Sequence, residues 1–468
     1  MKEYELVVRN ARVPGRESAC SDIVVTGGRI VALTEAGDSP AACRVIDASG
    51  RWVIPGAIDT HSHIGELAPE FVGREGLSPE TNYRYETRSA AAGGVTTALN
   101  YVKFGQESLL ATYERCLELA SSQSLINLMF HGYIMNEQHL FEVAAAVRAG
   151  VRTFKVFMPY RGEEARSLGG IGSLNHAQLA LAFEAIAARG CQALVHAEDG
   201  DIVERCTAEQ IALGMPTLSS YEQSRPTFAE GDAAFTAVYL AERARCPLTI
   251  VHVSSLETIR ARRAVGYRDV TLETCPHYFI LTTDAQIGPR GKVAPPIRDA
   301  ELAAAIGNAL EDGAFDFLGS DHNEWPADSK GDFVHGRAGL PGIGLLLPLA
   351  LTEGVSRRGM SMARLVELTS RNAARRFGLA DKGYVGVGAD ADLVVLDEGR
   401  RKVRTAELHS AVDYTPYEGF ELAFWPATTI CGGRVLFNDG AFDDDQSCGE
   451  IINRRYCHEA DAAAGRPT

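Results

Sequence analysis

Between about residue 55 and residue 385 the chain repeats one pattern: a short apolar run, a longer stretch with apolar residues at helical spacing, then another short run. Eight of the runs read as strands, at 57–61, 96–102, 126–133, 153–158, 193–197, 248–253, 270–278 and 315–319. Helical periodicity fills 108–121, 138–149, 177–189 and 233–245 between them. Eight strands joined by helices predict a (β/α)8 barrel; a doubly wound open sheet is the alternative, and the count of eight favours closure. At 468 residues the chain is longer than a barrel requires, so a second unit is expected.

That unit is split between the two ends. Residues 1–54 hold β-like runs at 4–8, 22–25, 29–33 and 44–46, with Gly27-Gly28 as a hairpin turn, and no long helical period intervenes. Beyond about 385 the β character returns at 392–396, 411–414, 428–430 and 434–437. Neither piece can bury much apolar surface alone, so 1–54 and 386–457 are expected to pack together as one discontinuous β domain beside a barrel at 55–385. The tail, 458–468, reads as poorly ordered or as a docking extension.

With 46 Lys and Arg against 61 Asp and Glu, the formal charge of −15 argues against nucleic acid or an anionic membrane as a partner. No run approaches the ~20 apolar residues of a membrane span. The sequence from Met1 to Glu5 is charged and is not followed by an apolar signal segment, so a cytoplasmic location is expected. The ten cysteines are scattered without a C-x-x-C pair and read as free thiols.

In a closed parallel barrel the groups that do chemistry sit at the C-terminal ends of the strands. Ligand-type residues gather there. His61 and His63 end the first strand, Lys155 lies in the fourth, His196 ends the fifth, His252 the sixth and Asp321 the eighth. Alternation along an extended strand puts His61 and His63 on one side and Ser62 on the other, so the two imidazoles can grip one cation. Taken singly, each has a plain structural explanation: a polar loop pair, a hydrogen-bonded core histidine, a helix-capping aspartate. Six such residues on five strand ends of one barrel favour a metal centre instead.

Lys155 is the informative one. A lysine within an apolar strand is penalised unless it is paired or changes its charge. Reaction of its amine with carbon dioxide gives a carbamate whose two oxygens can bridge two cations. The set then divides evenly, with His61, His63 and Asp321 on one ion, His196 and His252 on the other, and carboxylated Lys155 across both. Imidazole and carboxylate ligands suit Zn²⁺, with Mn²⁺, Co²⁺ or Fe²⁺ as alternatives. Such a pair can hold a shared hydroxide and polarise a carbonyl, and Asp321 is placed as general acid and base. This is hydrolytic chemistry.

The chain resembles the cyclic amidohydrolases of the amidohydrolase superfamily, specifically the hydantoinase and dihydropyrimidinase group. The matching stretches are Pro55-Gly-Ala-Ile-Asp-Thr-His-Ser-His63, Gly93-Gly-Val-Thr-Thr97, Phe154-Lys-Val-Phe-Met158, Val195-His-Ala-Glu198, Val251-His-Val-Ser-Ser255, Glu273-Thr-Cys-Pro-His277 and Gly319-Ser-Asp321, in the family's order over nearly the whole chain. The resemblance implies a binuclear centre bridged by a carboxylated lysine, a barrel with a β-sandwich side domain, and a homotetramer, a dimer being the alternative. It implies hydrolysis of a small cyclic amide, imide or ureide to a ring-opened N-carbamoyl acid. It further implies that Tyr160 donates to the substrate oxyanion and that the backbones of Ala294 and Ala338 hold the ring amide.

Departures bear on the substrate. Ala294 stands where a Ser is usual, Ala338 where hydantoinases usually carry Asn, and His322-Asn323-Glu324-Trp325 is atypical, while His277 resembles the allantoinase version of its motif. Allantoinase and dihydroorotase are therefore alternatives, the latter wanting an arginine such as Arg161 or Arg337 toward a substrate carboxylate. The loop carrying Ile64, Leu67 and Phe71 reads as apolar and favours neutral or apolar substituents. A non-catalytic scaffold is disfavoured, because every ligand position is filled.

Overall fold

The computed structural model describes residues 4–65, 79–105, 107–167, 172–442 and 449–453. Four strands open the chain: β1 (Tyr4–Ala11), β2 (Ser21–Thr26), β3 (Arg29–Glu35) and β4 (Ala42–Asp47), in the order β3-β2-β1-β4. The expected hairpin joins β2 to β3, pairing Thr26 with Arg29. Its two turn residues, Gly27 and Gly28, have φ of 59° and 70°, a left-handed conformation that glycine adopts without a Cβ clash. A short β5 (Val53–Pro55) leads into the barrel.

The barrel strands are β6 (Ala57–Ser62), β7 (Val95–Tyr101), β8 (Asn127–Tyr133), β9 (Thr153–Phe157), β10 (Gln192–His196), β11 (Leu248–Ile250), β12 (Val270–Thr274) and β13 (Phe317–Leu318). They pair in parallel in unbroken sequence order from β6 to β13. Closure is made just beyond β13, where Ser62 forms a parallel bridge with His322 and the His63 N–H donates to the His322 carbonyl at 2.9 Å. Nearly every strand residue is buried, as expected of strands with side chains inside on one face and helices on the other. The covering helices begin at side-chain caps: Ser108 for Leu109–Ser121, Asn136 for Glu137–Arg148, and an Asn175–Gln178 capping box for His176–Ala187.

The C-terminal half of the side domain is a five-stranded sheet of β14 (Leu393–Lys402), β15 (Glu421–Cys431), β16 (Arg434–Asn438), β17 (Ala441–Phe442) and β5, ordered β17-β16-β15-β14-β5. Its core is shared with the N-terminal sheet: Leu6, Val8, Ile23 and Val25 pack with Leu393, Val395, Ile430 and Val435. The ends of the chain thus complete one β-sandwich. Lys382, buried, ties this unit down with ion pairs to Asp392 at 2.6 Å and Asp390 at 2.9 Å.

Two expectations are corrected. Residues 411–414 form no strand; the Ala411 N–H is taken up by the buried Glu86 carboxylate and the Val412 N–H by the Ser410 hydroxyl, so these two donors are satisfied without a ladder. The last three barrel strands also end earlier than expected, since the chain turns out of the ladder before His252, His277 and Asp321. Leu67, Phe71 and the tail 458–468 lie outside the described residues.

Candidate metal centre

The first strand sets the position of the site. Asp59, fully buried on β6, accepts from the His61 N–H at 3.1 Å, the Ser320 N–H at 2.9 Å and the Ser320 hydroxyl at 2.5 Å. It pins the start of the barrel to the turn that carries Asp321. The Ser62 hydroxyl donates to Asn100 on the neighbouring strand, while His61 and His63 face the interior. Asp321 Oδ1 lies 3.2 Å from His61 Nε2 and 3.4 Å from His63 Nε2. Among the described residues, these three form the group whose donor atoms lie close enough to share one ion.

His252 and His196 complete an adjacent imidazole pair. Their ring centres are 4.3 Å apart, and that of His252 is 5.1 Å from that of His61. Lys155, 1% exposed, lies close by: its Nζ sits 4.8 Å from the centre of the Tyr101 ring, which itself packs 4.7 Å from His61 and 5.0 Å from His63. His252 and Asp321 both have positive φ, 40° and 49°, in the left-handed region that costs non-glycine residues energy. Strain of this kind persists where the surroundings enforce it, commonly at working sites.

The donor set fits a cation. His61 Nε2 and His252 Nδ1 are buried nitrogens without a hydrogen-bond partner, a costly arrangement unless something else takes the lone pairs. Burial pushes both imidazoles well below their usual range, with the Lys155 ammonium and neighbouring histidines adding to it, so both are neutral and keep a lone pair that a cation could take. Burial also lowers His196, against the opposing pull of Glu198.

Several residues that matter here were not singled out from the sequence. The buried Glu273 carboxylate on β12 bonds His61 Nδ1 at 2.7 Å, the Thr60 hydroxyl at 2.5 Å and the His252 N–H at 3.1 Å. One carboxylate therefore fixes the tautomer of one imidazole and the backbone of another, the outer support that metal-binding histidines need. Glu198 does the same for His196, at 2.6 Å from Nε2, and is held by Arg225 at 2.8 Å; Arg225 in turn pairs with Glu164 at 2.8 Å. Tyr133 bonds His63 Nδ1 at 3.1 Å. Strand alternation carried the signal for Glu198, two residues after His196 and hence on its side, and a carboxylate inside the apolar run of β12 carried it for Glu273.

His61, His63, Lys155, His196, His252, Asp321, Tyr160, Ala294 and Ala338 all line a single cavity of about 830 Å³. Burial raises the Tyr160 phenol well above its usual range, which keeps it a donor. Arg337 lines the cavity; Arg161 does not, and bonds the Ser173 carbonyl instead. The rest of the wall mixes aromatic residues, among them Phe104, Tyr133, Phe157, Tyr221 and Trp325, with polar and charged ones such as Arg225, Lys292 and Asp328.

The pattern of the Amidohydrolase family matches residues 52–436, which span the barrel and most of the C-terminal half of the side domain. The chain belongs to the amidohydrolase family. Within it, this amidohydrolase is 32% identical to the L-hydantoinase of Paenarthrobacter aurescens over 97% of this chain and 98% of that one. It is 30% identical to the D-phenylhydantoinase of Escherichia coli O1:K1, over 96% and 98%. The solved structure of the L-hydantoinase (dihydropyrimidinase) from Arthrobacter aurescens superposes with a TM-score of 0.87 at 30% identity, covering 96% of this chain and 99% of that one. No helix among the described residues is long and apolar enough to cross a membrane.

Proposed function

We propose that this amidohydrolase hydrolyses a ring amide bond of a cyclic amide, imide or ureide of the hydantoin or dihydropyrimidine type, releasing an N-carbamoyl or similar ring-opened acid. The observation that carries the reading is the convergence of four histidines, Lys155 and Asp321 on the cavity that Tyr160, Ala294 and Ala338 also line. Full-length similarity to hydantoinases of both hands supports it.

His61, His63 and Asp321 would hold one divalent ion and His196 and His252 a second, with Lys155, carboxylated on its amine, shared between them. Zn²⁺ suits these donors best, with Mn²⁺, Co²⁺ or Fe²⁺ as alternatives. When bound, the ions supply Lewis acidity toward the scissile carbonyl and toward the attacking water. Asp321 takes the proton of that water and delivers it to the leaving ring nitrogen. The Tyr160 hydroxyl donates to the carbonyl oxygen as negative charge develops there. The backbones of Ala294 and Ala338 hold the ring amide.

The chain is assigned to units at 1–54, 55–385 and 386–457 with a tail beyond, and to the cytoplasm, consistent with its acidic composition and with the free state of the eight described cysteines. A homotetramer accounts for the barrel exterior. Exposed Phe228, Phe235 and Tyr239 share one face of the helix Thr227–Ala244, and Leu181 is exposed on the helix His176–Ala187 that packs against it. A panel of hydantoin, dihydrouracil, allantoin and dihydroorotate, assayed with metal-replete protein, tests the reading: turnover of the first two is expected, and a preference for the last two would overturn the substrate assignment.

A further inference from the structure

Asn323 stands two residues beyond Asp321 and lines the same cavity. Its side chain is fixed: Nδ2 donates to the Asp321 carbonyl at 3.1 Å, and its backbone N–H donates to the Leu340 carbonyl at 2.9 Å. The carboxamide lies against Gly339, where an added Cβ would stand 2.6–2.8 Å from Asn323 Cγ, Cβ and Nδ2. Gly339 has φ of +126°, so the backbone itself calls for glycine there, and the lack of a side chain leaves the space that the carboxamide occupies. With Nδ2 committed to the Asp321 carbonyl, Oδ1 is left as the acceptor of a cavity-lining carboxamide, and among the described residues nothing donates to it. An oriented acceptor thus borders the cavity next to Asp321 and the Ala338-Gly339 backbone.

We propose that Asn323 is a specificity-determining residue whose Oδ1 accepts a hydrogen bond from a ring N–H of the substrate, selecting cyclic ureides and imides that keep that N–H over N-alkylated ones. The inference rests on the cyclic-amide reading above and goes beyond it by naming the edge of the ring that is read. A fixed acceptor rejects an analogue that lacks the matching donor, because the acceptor is then left unpaired in a partly dehydrated site. The Nδ2 bond to Asp321 gives the same side chain a second, separable effect, the placement of Asp321 itself.

The test compares wild type with Asn323→Ala and Asn323→Ser, both metal-replete, on hydantoin and on its two mono-N-methyl isomers. For wild type, methylation at one of the two nitrogens is expected to lower kcat/KM on the order of tenfold or more. In both variants that penalty disappears, with the loss on the parent ring appearing mainly in KM. Retention of the methyl penalty in the variants, whether or not kcat also falls equally on all three rings, overturns the proposal and leaves Asn323 only as a support for Asp321. Absence of hydantoin turnover by metal-replete wild type overturns the hydrolase reading, and this one with it.

Discussion

At the scale of single residues, the centre is built by carboxylates that organise imidazoles. Glu273 shows this most plainly, since two groups from β6 and one from the turn after β11 converge on it. Glu273→Gln keeps the shape and loses the charge, so metal affinity is expected to fall about 10–100-fold while the fold is retained, measured by chelator competition with Co²⁺ as a visible probe. An unchanged affinity would contradict the supporting role. Asp321→Asn is expected to leave the circular dichroism spectrum unchanged and to lower kcat by about 10²–10⁴-fold, the usual worth of a positioned acid and base. A variant with wild-type turnover would remove Asp321 from the chemistry. The ligand-type residues were legible in the sequence because their side-chain chemistry sits at strand ends. The supporting carboxylates were harder to read, since their role depends on contacts between strands far apart in the chain, such as Glu273 with His61.

At the scale of elements, hydrophobic periodicity located all eight barrel strands, and the first five agree with the expected spans to within one or two residues. The sequence misled where backbone groups find partners other than a ladder. Residues 411–414 look like a strand, but the Ala411 N–H bonds Glu86 instead of a ladder partner, and β11 stops at Ile250, before the left-handed φ of His252. The seam between β6 and the turn after β13 depends on Asp59, whose carboxylate serves three donors. Asp59→Ala leaves those donors buried without it, at a cost of about 1–3 kcal/mol for each one that finds no substitute. Thermal unfolding checks this: a clear drop in the midpoint is expected, and a midpoint equal to wild type would show that closure does not depend on this residue.

At the scale of the whole molecule, burial of histidines makes stability depend on pH. His131 is pushed down to about 3 and His277 to about 4 from an ordinary 6.5, by burial first, and burial also lowers His61, His196 and His252. Unfolded, these five groups take up protons below pH 6.5 that the folded chain refuses, so acid favours unfolding. Asp59, raised by burial to about 6, and Glu273, also raised by burial, act in the opposite sense, because the folded form holds their protons more tightly. The histidines outnumber them. The unfolding midpoint of the metal-free protein is therefore expected to fall between pH 6.5 and 4, and a rise over that window would contradict the assignment of neutral buried imidazoles.

Two ends of the chain share one sandwich core, and five barrel strands deliver six side chains to one cavity. The claim underlying this architecture is that those six side chains hold a pair of ions through Lys155. Metal analysis of natively purified wild type beside Lys155→Ala tests it most directly. The account predicts two divalent ions per chain in wild type and at most one in the variant, whose lost activity short carboxylic acids partly restore. Fewer than one ion per wild-type chain, or a variant that keeps both ions and full turnover, would contradict it.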